Sequence, residues 1–188
     1  MATSGPITEP ALETLLKDAA LAGSWTLDPA RSTVGLRSKS MWGLASVRGV
    51  FGEVSGQGTV SPAGTVTGTL TVAAASVDTR NKKRDAHLRS ADFFDSDAHP
   101  DITFTVDGIR PSGQDITVSG ALTVRDRTRP VAFQARAFTV GSREVRLEAE
   151  VRINRGDFGL TWNQLGMASM NNTITVRAVF TRAPDSAA

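Results

Sequence analysis

The sequence predicts an all-β domain in which eight long antiparallel strands close into a barrel. Apolar and polar residues alternate along most of the chain after Trp25, as they do in strands with one buried face. Short turn sequences, such as those at 61–64 and 110–113, separate the alternating stretches and indicate antiparallel neighbours. The chain has 188 residues and 17 glycines, which is typical of one globular domain with many turns.

Before the strands, residues 7–22 have apolar side chains at three- and four-residue intervals, which predicts a helix. Thr8 is a suitable N-cap, Pro10 is tolerated in the first turn, and Gly23 is placed to end the helix. We therefore expect residues 1–23 to form a helical extension whose apolar stripe packs against the barrel, with a homodimer interface as the alternative.

Eight segments with strand periodicity follow the helix. A barrel buries the apolar face of every strand and leaves no unpaired edge, whereas a two-sheet sandwich is the alternative. The two architectures differ inside, because an eight-stranded barrel is either filled by its own side chains or holds one small ligand. The generous limits of the segments are 31–40, 47–61, 64–76, 101–110, 114–125, 129–140, 143–154 and 171–183.

The residues expected to face the barrel interior are mostly small. Valine, alanine and glycine dominate, and the large residues among them are Phe104, Phe133 and Phe180. Small side chains in the barrel wall favour a dry apolar cavity that accepts an apolar guest. The alternative is an interior that is plugged by side chains of the helix and the loops. The strand residues expected to contact such a ligand are Val34, Leu36, Val66, Leu70, Val72, Phe104, Val106, Leu122, Val124, Phe133, Leu147, Val151, Val176 and Phe180.

The segment at 80–100 interrupts the strands and holds both histidines of the chain. Connections that cross a rigid scaffold often carry function. Asp78 or Thr79 is expected to cap a short helix over 80–90, within a helical excursion near 80–95. Apolar residues of this segment and of two other long connections are expected to lie at the barrel end and to contact a ligand: Trp42, Leu88, Phe93, Phe94, Trp162 and Met167.

Four polar residues of the same segment are expected to form a rim at the barrel mouth: Arg84, Asp85, His87 and Arg89. A helix start with several cations suits the phosphate or ring oxygen of a head group, and a solvated helix face is the alternative. Asp85, His87 and Asp92 are also candidates for acid–base catalysis on a lipid-like substrate. The chain has no G-x-S-x-G elbow, no glycine-rich phosphate loop and no cysteine, so we expect no enzyme activity.

The charge balance excludes some classes of partner. Twenty-one Lys and Arg against nineteen Asp and Glu leave a net charge of +2, which is too small to predict nucleic-acid binding. No stretch approaches the roughly 18 consecutive apolar residues of a membrane span. The N-terminus lacks the pattern of a secretory leader, so a cytoplasmic location is expected. No cysteine is present and the two histidines are twelve residues apart, so we expect neither a metal site nor a cofactor.

Seven sequence motifs resemble those of the YceI-like family and occur in the same order. Two of them are WTLDPARSTVGL at 25–36 and VSGALTVRDRTRPV at 118–131. The resemblance covers about residues 24–183, which we take as the barrel domain, with 184–188 as a disordered tail. The remaining motifs are at 47–56, 75–79, 84–95, 99–104 and 155–159.

The resemblance implies an extended lipocalin-like barrel whose interior takes the isoprenoid tail of a long polyprenyl quinone-type lipid. It therefore implies a carrier of an isoprenoid or other long-chain apolar molecule, not a catalyst. The chain departs from the family where Arg31 and Ser40 replace frequent histidines, so the fold transfers better than the ligand. A barrel filled by its own side chains, acting as a stress-associated interaction module, is the remaining alternative.

Overall fold

A computed structural model describes residues 5–6, 14–16, 19–112 and 115–184 of the chain. Within these residues strands dominate, and the connections contain a short α-helix, α1 (Lys82–Arg89), and single-turn 3-10 helices. The strands are β1 (Gly5–Pro6), β2 (Gly23–Leu27), β3 (Thr33–Ser40), β4 (Ala45–Phe51), β5 (Val54–Val60), β6 (Val66–Ala73), β7 (Val77–Asp78), β8 (Asp101–Ser112), β9 (Asp115–Val124), β10 (Arg127–Val140), β11 (Glu144–Asn154) and β12 (Asn171–Arg182).

Strands β2 to β12 occupy eight positions in a closed antiparallel barrel. Hydrogen bonds run from β10 through β9, β8, β6, β5 and β2 to β12, and β11 closes the ring by pairing with both β12 and β10. Three positions each hold two consecutive strands, namely β2 with β3, β4 with β5, and β6 with β7. The predicted barrel of eight antiparallel strands is therefore confirmed, and the chain does not form the alternative sandwich.

Strand β12 shows how two short strands share one position in the barrel. Its residues 180–182 pair with β2, and its residues 172–177 pair with β3. The predicted single strand over 47–61 is likewise divided at Gly52, whose N–H donates a hydrogen bond of 3.0 Å to the carbonyl oxygen of Ser76. The chain thus leaves the β3–β4 ladder at Phe51 and enters the β5–β6 ladder at Val54.

A β-bulge bends β8 where it pairs with β9. The register shifts between Val106 and Gly108, and a bulge increases the local bend and twist of a strand. Gly120 on β9 faces this region, and a Cβ atom there would collide with the carbonyl oxygen of Thr105 and lie 2.7 Å from Phe104 Cζ. The close approach of the two strands therefore requires glycine at position 120.

Buried apolar side chains form two clusters, one toward each end of the barrel. The larger cluster includes Ala74 and Val77, whose exposed fractions are both 0%, and it lies beneath α1. The smaller cluster consists of Ile116, Val118, Ala135 and Ala137, near the turn between β8 and β9.

Much of the predicted N-terminal helix falls on residues 7–13, 17 and 18, which lie outside the described residues. Residues 14–16 are helical, and Leu15 and Leu16 pack against the smaller apolar cluster. The carbonyl oxygen of Leu21 accepts a hydrogen bond of 2.9 Å from Trp25 Nε1. These contacts attach the described part of the N-terminal segment to the barrel, and residues 185–188 of the predicted tail also lie outside the described residues.

The predicted helical excursion is present as α1, but its cap is not the expected one. Asn81 caps the helix, because its Oδ1 accepts a hydrogen bond of 3.1 Å from the N–H of Arg84. Arg80 has a left-handed φ of 60°, so the chain turns before the helix begins. The carboxylate of Asp78 instead accepts a 2.7 Å bond from the N–H of Arg80. The expectation that Asp78 or Thr79 caps the helix was therefore wrong.

The close approach at Gly120 leads to a test of the bulge. We expect Gly120→Ala to lower the free energy of unfolding by about 1–3 kcal/mol, because the added methyl group overpacks the β8–β9 pair. Gly108→Ala at the same bulge is the matched control, since no atom lies within 4 Å of its added Cβ. Urea unfolding of the two variants measures the difference, and equal losses of stability would contradict the steric explanation.

Candidate ligand-binding cavity

The barrel encloses a cavity of about 430 Å³. Small-molecule sites in proteins have volumes of roughly 300–1,000 Å³, so the space is large enough for a ligand. Its wall is built from the inward-facing side chains of β3, β4, β6 and β8 to β12, and residues of α1 and of the loop after β11 cover one end.

Strand alternation decides which side chains face this space. On β3, Val34, Leu36 and Ser38 border the cavity, whereas the intervening Arg37 is exposed. Fourteen of the twenty predicted contact residues lie in the wall. They are Val34, Leu36, Leu70, Val72, Leu88, Phe93, Phe94, Phe104, Leu122, Val124, Phe133, Val151, Trp162 and Val176.

Four other predicted contact residues lie around a second, smaller cavity of about 140 Å³, and these are Val66, Val106, Leu147 and Phe180. This space is near Trp25 and Leu21, beside the N-terminal segment. Leu70 borders both cavities, so it lies between them. The barrel interior therefore has a large space near α1 and a small one at the other end.

Two predicted contact residues, Trp42 and Met167, border neither cavity. Trp42 is 72% exposed and has a left-handed φ of 55°. The N–H of Trp42 donates a 3.4 Å hydrogen bond to the carbonyl oxygen of Met167, so the two residues join their loops outside the cavity.

Several wall residues were not among the predicted contacts. Four apolar ones have the same strand parity as predicted neighbours, and these are Ile102, Val131, Ile153 and Ile174. Three polar ones, Ser38, Ser40 and Asn172, share that parity, but their composition does not indicate an apolar wall. The other wall residues have no predicted contact of the same parity beside them, and they are Lys39, Val47, Phe51, Thr103, Arg155, Phe158, Leu160 and Ala168.

Aromatic side chains cover the end of the cavity beneath α1. The ring of His87 lies edge-on to Trp162, with 4.2 Å between centroids, and to Phe93, with 5.3 Å. Phe93 and Trp162 are themselves 5.9 Å apart. His87 Nε2 is 3.2 Å from Asp92 Oδ2, so a polar contact on the outer side orients the imidazole. This arrangement gives the cavity an aromatic cover that includes one imidazole ring.

The predicted polar rim divides into two pairs. Arg84 and His87 border the cavity, but Asp85 and Arg89 do not. Arg89 instead donates from Nε to the carbonyl oxygen of Ala75 at 2.7 Å and from Nη2 to that of Val77 at 2.9 Å. Its charge therefore attaches α1 to the chain around β7, and the prediction that Arg89 lies at the rim is corrected.

Asp85, a residue of α1, has a structural role. Its side chain is buried, and Oδ1 accepts hydrogen bonds of 2.9 Å from the N–H of Thr79 and 2.5 Å from the Thr79 hydroxyl. Arg84 completes the group by donating from Nε to Thr79 Oγ1 at 2.7 Å and from Nη2 to the Thr79 carbonyl at 2.9 Å. Because both carboxylate bonds are made with the chain before α1, Asp85 fixes the helix rather than facing a ligand.

The pKa of Asp85 reflects this position. Burial of the carboxylate raises it, but the hydrogen bonds from Thr79 and the charges of Arg89 and Arg84 together hold the pKa below its ordinary value. The carboxylate is thus stabilised in its ionised form, as a structural anion should be.

Arg155 is a buried cation at the edge of the cavity that the predicted site did not include. Its Nη1 donates to the carbonyl oxygens of Leu160 at 2.6 Å and Trp162 at 2.8 Å, and its Nε donates to Ser169 at 3.0 Å. Burial lowers the pKa of its guanidinium. These bonds hold the loop that presents Leu160 and Trp162 to the cavity, and Nη2 is buried without a hydrogen-bond partner among the described residues.

The ionisable side chains around the cavity are all basic. Arg84, His87 and Arg155 border it, Lys39 lies at its edge with an exposed side chain near the end of β3, and no aspartate or glutamate is present among the described wall residues. An apolar wall with a few convergent donors is the usual form of a site that holds a ligand with an apolar body and an acceptor at one end. A closed eight-stranded barrel of this kind is the architecture of lipocalin-like binding proteins.

The comparison with known sequences identifies the family. The model of the YceI-like domain matches residues 25–181, and the chain belongs to this family. Protein YceI of Escherichia coli is 36% identical over 105 residues, which cover 53% of this chain and 54% of the relative. Protein YceI of Shigella flexneri is 35% identical over the same length. The chain thus spans about half the length of the curated relatives it matches.

Solved structures show the same fold. Burkholderia cenocepacia BcnA superposes with a TM-score of 0.73 and 24% identity, covering 81% of this chain and 98% of that one. A polyisoprenoid binding domain from Saccharophagus degradans, implicated in plant cell wall breakdown, gives a TM-score of 0.69 and 16% identity, covering 85% and 98%. In the part of the chain described here, no helix is long and apolar enough to cross a membrane.

The lowered pKa of Asp85 makes part of the stability depend on pH. A carboxylate with a depressed folded-state pKa contributes stability above its unfolded pKa, and this contribution is lost as pH falls through the folded value. We expect Asp85→Asn to be less stable than the wild type at neutral pH, with a difference that narrows as pH falls from about 5 toward about 2. Urea unfolding at a series of pH values measures this difference in the free energy of unfolding.

Asp107→Asn is the matched control, because Asp107 is an exposed carboxylate on β8. The free energy of unfolding of this control variant should change with pH as that of the wild type does. A stability gap for Asp85→Asn that stays constant or widens in acid would show that the ionised form of Asp85 does not stabilise the fold.

Proposed function

We propose that this chain binds and carries a long apolar isoprenoid-type lipid, similar to a polyprenyl quinone, inside the barrel and without catalysis. The observation that carries the proposal is the cavity of about 430 Å³ with a wall of aliphatic and aromatic side chains. Membership of the YceI-like family and the likeness to a polyisoprenoid binding domain support this class of ligand.

Burial of hydrocarbon is the main driving force in this proposal. Apolar surface removed from water contributes about 25 cal/mol per Å², or about 0.8 kcal/mol for each buried methylene group. A prenyl tail lying along Leu36, Leu122 and Val176 exchanges water for the apolar wall over its whole length. Affinity should therefore rise with tail length until the cavity is full.

The basic residues at the covered end suit the head of such a lipid. A quinone oxygen accepts hydrogen bonds. The buried Nη2 of Arg155 is a donor that has no acceptor among the described residues, so it is suited to such an oxygen. His87 and Arg84 border the same cavity. We propose that the head group lies at this end, under α1, and that the tail extends toward Leu70.

The two other functions considered from the sequence have less support. A filled barrel leaves no room for a guest, yet this interior contains a large space beside the described side chains. An acid–base pair of Asp85 and His87 would need both groups at the substrate, but the Asp85 carboxylate is buried against Thr79 and does not border the cavity. A carrier requires neither group to transfer a proton.

Filling the cavity tests the proposal. Val176→Trp should place an indole in the space that the tail needs, and we expect at least about tenfold weaker binding of a short-tailed ubiquinone. Quenching of tryptophan fluorescence by the quinone measures the affinity, since Trp162 borders the cavity. The same titration with the tail-less quinone head should give little binding to the wild type.

Arg177→Trp is the control, because residue 177 is the next position on β12 and its side chain is 78% exposed. It adds the same indole to the outside of the barrel and should bind like the wild type. The proposal fails if Val176→Trp keeps full affinity while remaining folded. It also fails if the wild type binds the short-tailed ubiquinone and the tail-less quinone head equally.

A further inference from the structure

An exposed apolar patch lies at the end of the barrel where β3 ends and β12 begins. It consists of Met41, Trp42, Leu44 and Leu165, and we call these four residues the rim patch. Their exposed fractions are 53%, 72%, 87% and 79%. Apart from Trp162, which lies in the same loop as Leu165, Val50 is the other large hydrophobic side chain that is exposed in the described structure. Exposed apolar groups are therefore concentrated at this rim.

The backbone presents these side chains in a costly conformation. Met41, Trp42 and Leu165 have left-handed φ values of 50°, 55° and 56°, which residues other than glycine rarely adopt. The two loops are joined by hydrogen bonds from Trp42 N–H to Met167 and from Ser169 N–H to Lys39. Strained backbone that directs apolar side chains into water gives the fold no burial in return, so it points to a role outside the barrel.

Basic residues form a row on the outer wall directly behind the rim patch. Arg152 lies opposite Thr173, Thr173 opposite Arg37, and Arg37 opposite Arg48, so three arginines lie in register across β11, β12, β3 and β4. Lys39 is two positions closer to the rim on β3. We call Arg37, Lys39, Arg48 and Arg152 the basic row.

Most of the basic row has no internal counter-ion. Arg37 is 3.4 Å from Glu150, but no ion pair is found for Lys39, Arg48 or Arg152 within the described part of the chain. Among the carboxylates of the loops at this end, Asp92 contacts His87, Asp95 lies 3.9 Å from Arg125, and Asp157 is exposed in the 3-10 turn that follows β11. Since the whole chain carries a net charge of only +2, the row is a local concentration of positive charge.

The rim patch also lies beside the entrance of the large cavity. Lys39 and Ser40, which immediately precede Met41, border the cavity, and so does Trp162 in the loop that carries Leu165. An apolar ligand that leaves the cavity here would pass between the two loops.

We propose that the rim patch and the basic row dock this protein onto the surface of a lipid bilayer that contains anionic lipids. Tryptophan, leucine and methionine side chains enter the boundary between head groups and acyl chains, while the cations behind them contact anionic head groups. The cavity entrance then faces the membrane. This inference goes beyond carriage of a lipid and does not depend on which ligand the cavity holds.

Vesicle cosedimentation tests the docking surface. We expect the full chain to bind vesicles that contain phosphatidylglycerol, to bind phosphatidylcholine vesicles much more weakly, and to dissociate as salt is raised. Trp42→Ser combined with Leu165→Ser should weaken binding at least about tenfold, because two large apolar side chains no longer enter the bilayer. Val50→Ser, which removes an exposed apolar side chain away from the rim patch, should bind like the wild type.

A second pair of variants separates charge from apolar contact. The double variant Arg48→Gln with Arg152→Gln should lose the preference for anionic vesicles. The control is the double variant Arg110→Gln with Arg136→Gln, which changes two exposed arginines outside the basic row. This control should keep the preference. The proposal is overturned if the wild type does not bind anionic vesicles, or if the rim-patch variant binds them as well as Val50→Ser does. It is also overturned if the rim patch proves to join two copies of the chain, shown by a dimer in solution that the rim-patch variant dissociates and by no vesicle binding.

Discussion

Closure of the sheet is the constraint on which the rest of this structure depends. Because β11 pairs with both β12 and β10, the sheet closes on itself, and its inward side chains share one interior. The apolar residues on that interior are mainly valine, leucine and isoleucine, which do not reach the barrel axis from all sides. A space of about 430 Å³ is the direct result, and its apolar wall determines what kind of molecule can occupy it.

Most polar groups near the cavity serve to cover it. Arg89, Asp85 and Thr79 attach α1 to the chain around β7, and Arg155 holds the loop that carries Trp162. These bonds position His87, Phe93 and Trp162 as an aromatic cover. A cover made of a short helix and a loop is easier to displace than a strand of the barrel, because it has fewer hydrogen bonds to its neighbours. We therefore regard this end as the route by which a ligand enters and leaves.

Strand parity made the barrel and part of the cavity wall predictable from sequence. Leu36 and Val176 could be assigned to the interior because their strands alternate without interruption. Prediction of the site was less accurate in the loops and in α1, where residues do not follow the two-residue period of a strand. Trp42 resembles a ligand contact by residue type, yet its side chain is exposed, and Arg155 has no sequence feature that separates a buried cation from an exposed one. Asp85 and Arg89 were assigned to the rim from their charge, but hydrogen-bond geometry decides whether a charge faces a ligand or holds a helix.

The central claim is that the hollow of this barrel holds a long apolar molecule. Native mass spectrometry of the protein purified from its own host, before and after extraction with organic solvent, tests that claim most directly. Our account predicts an added mass that corresponds to one isoprenoid-type lipid and that disappears on extraction. A protein that carries only its polypeptide mass when isolated gently, and that takes up no prenyl lipid when one is supplied, would contradict it.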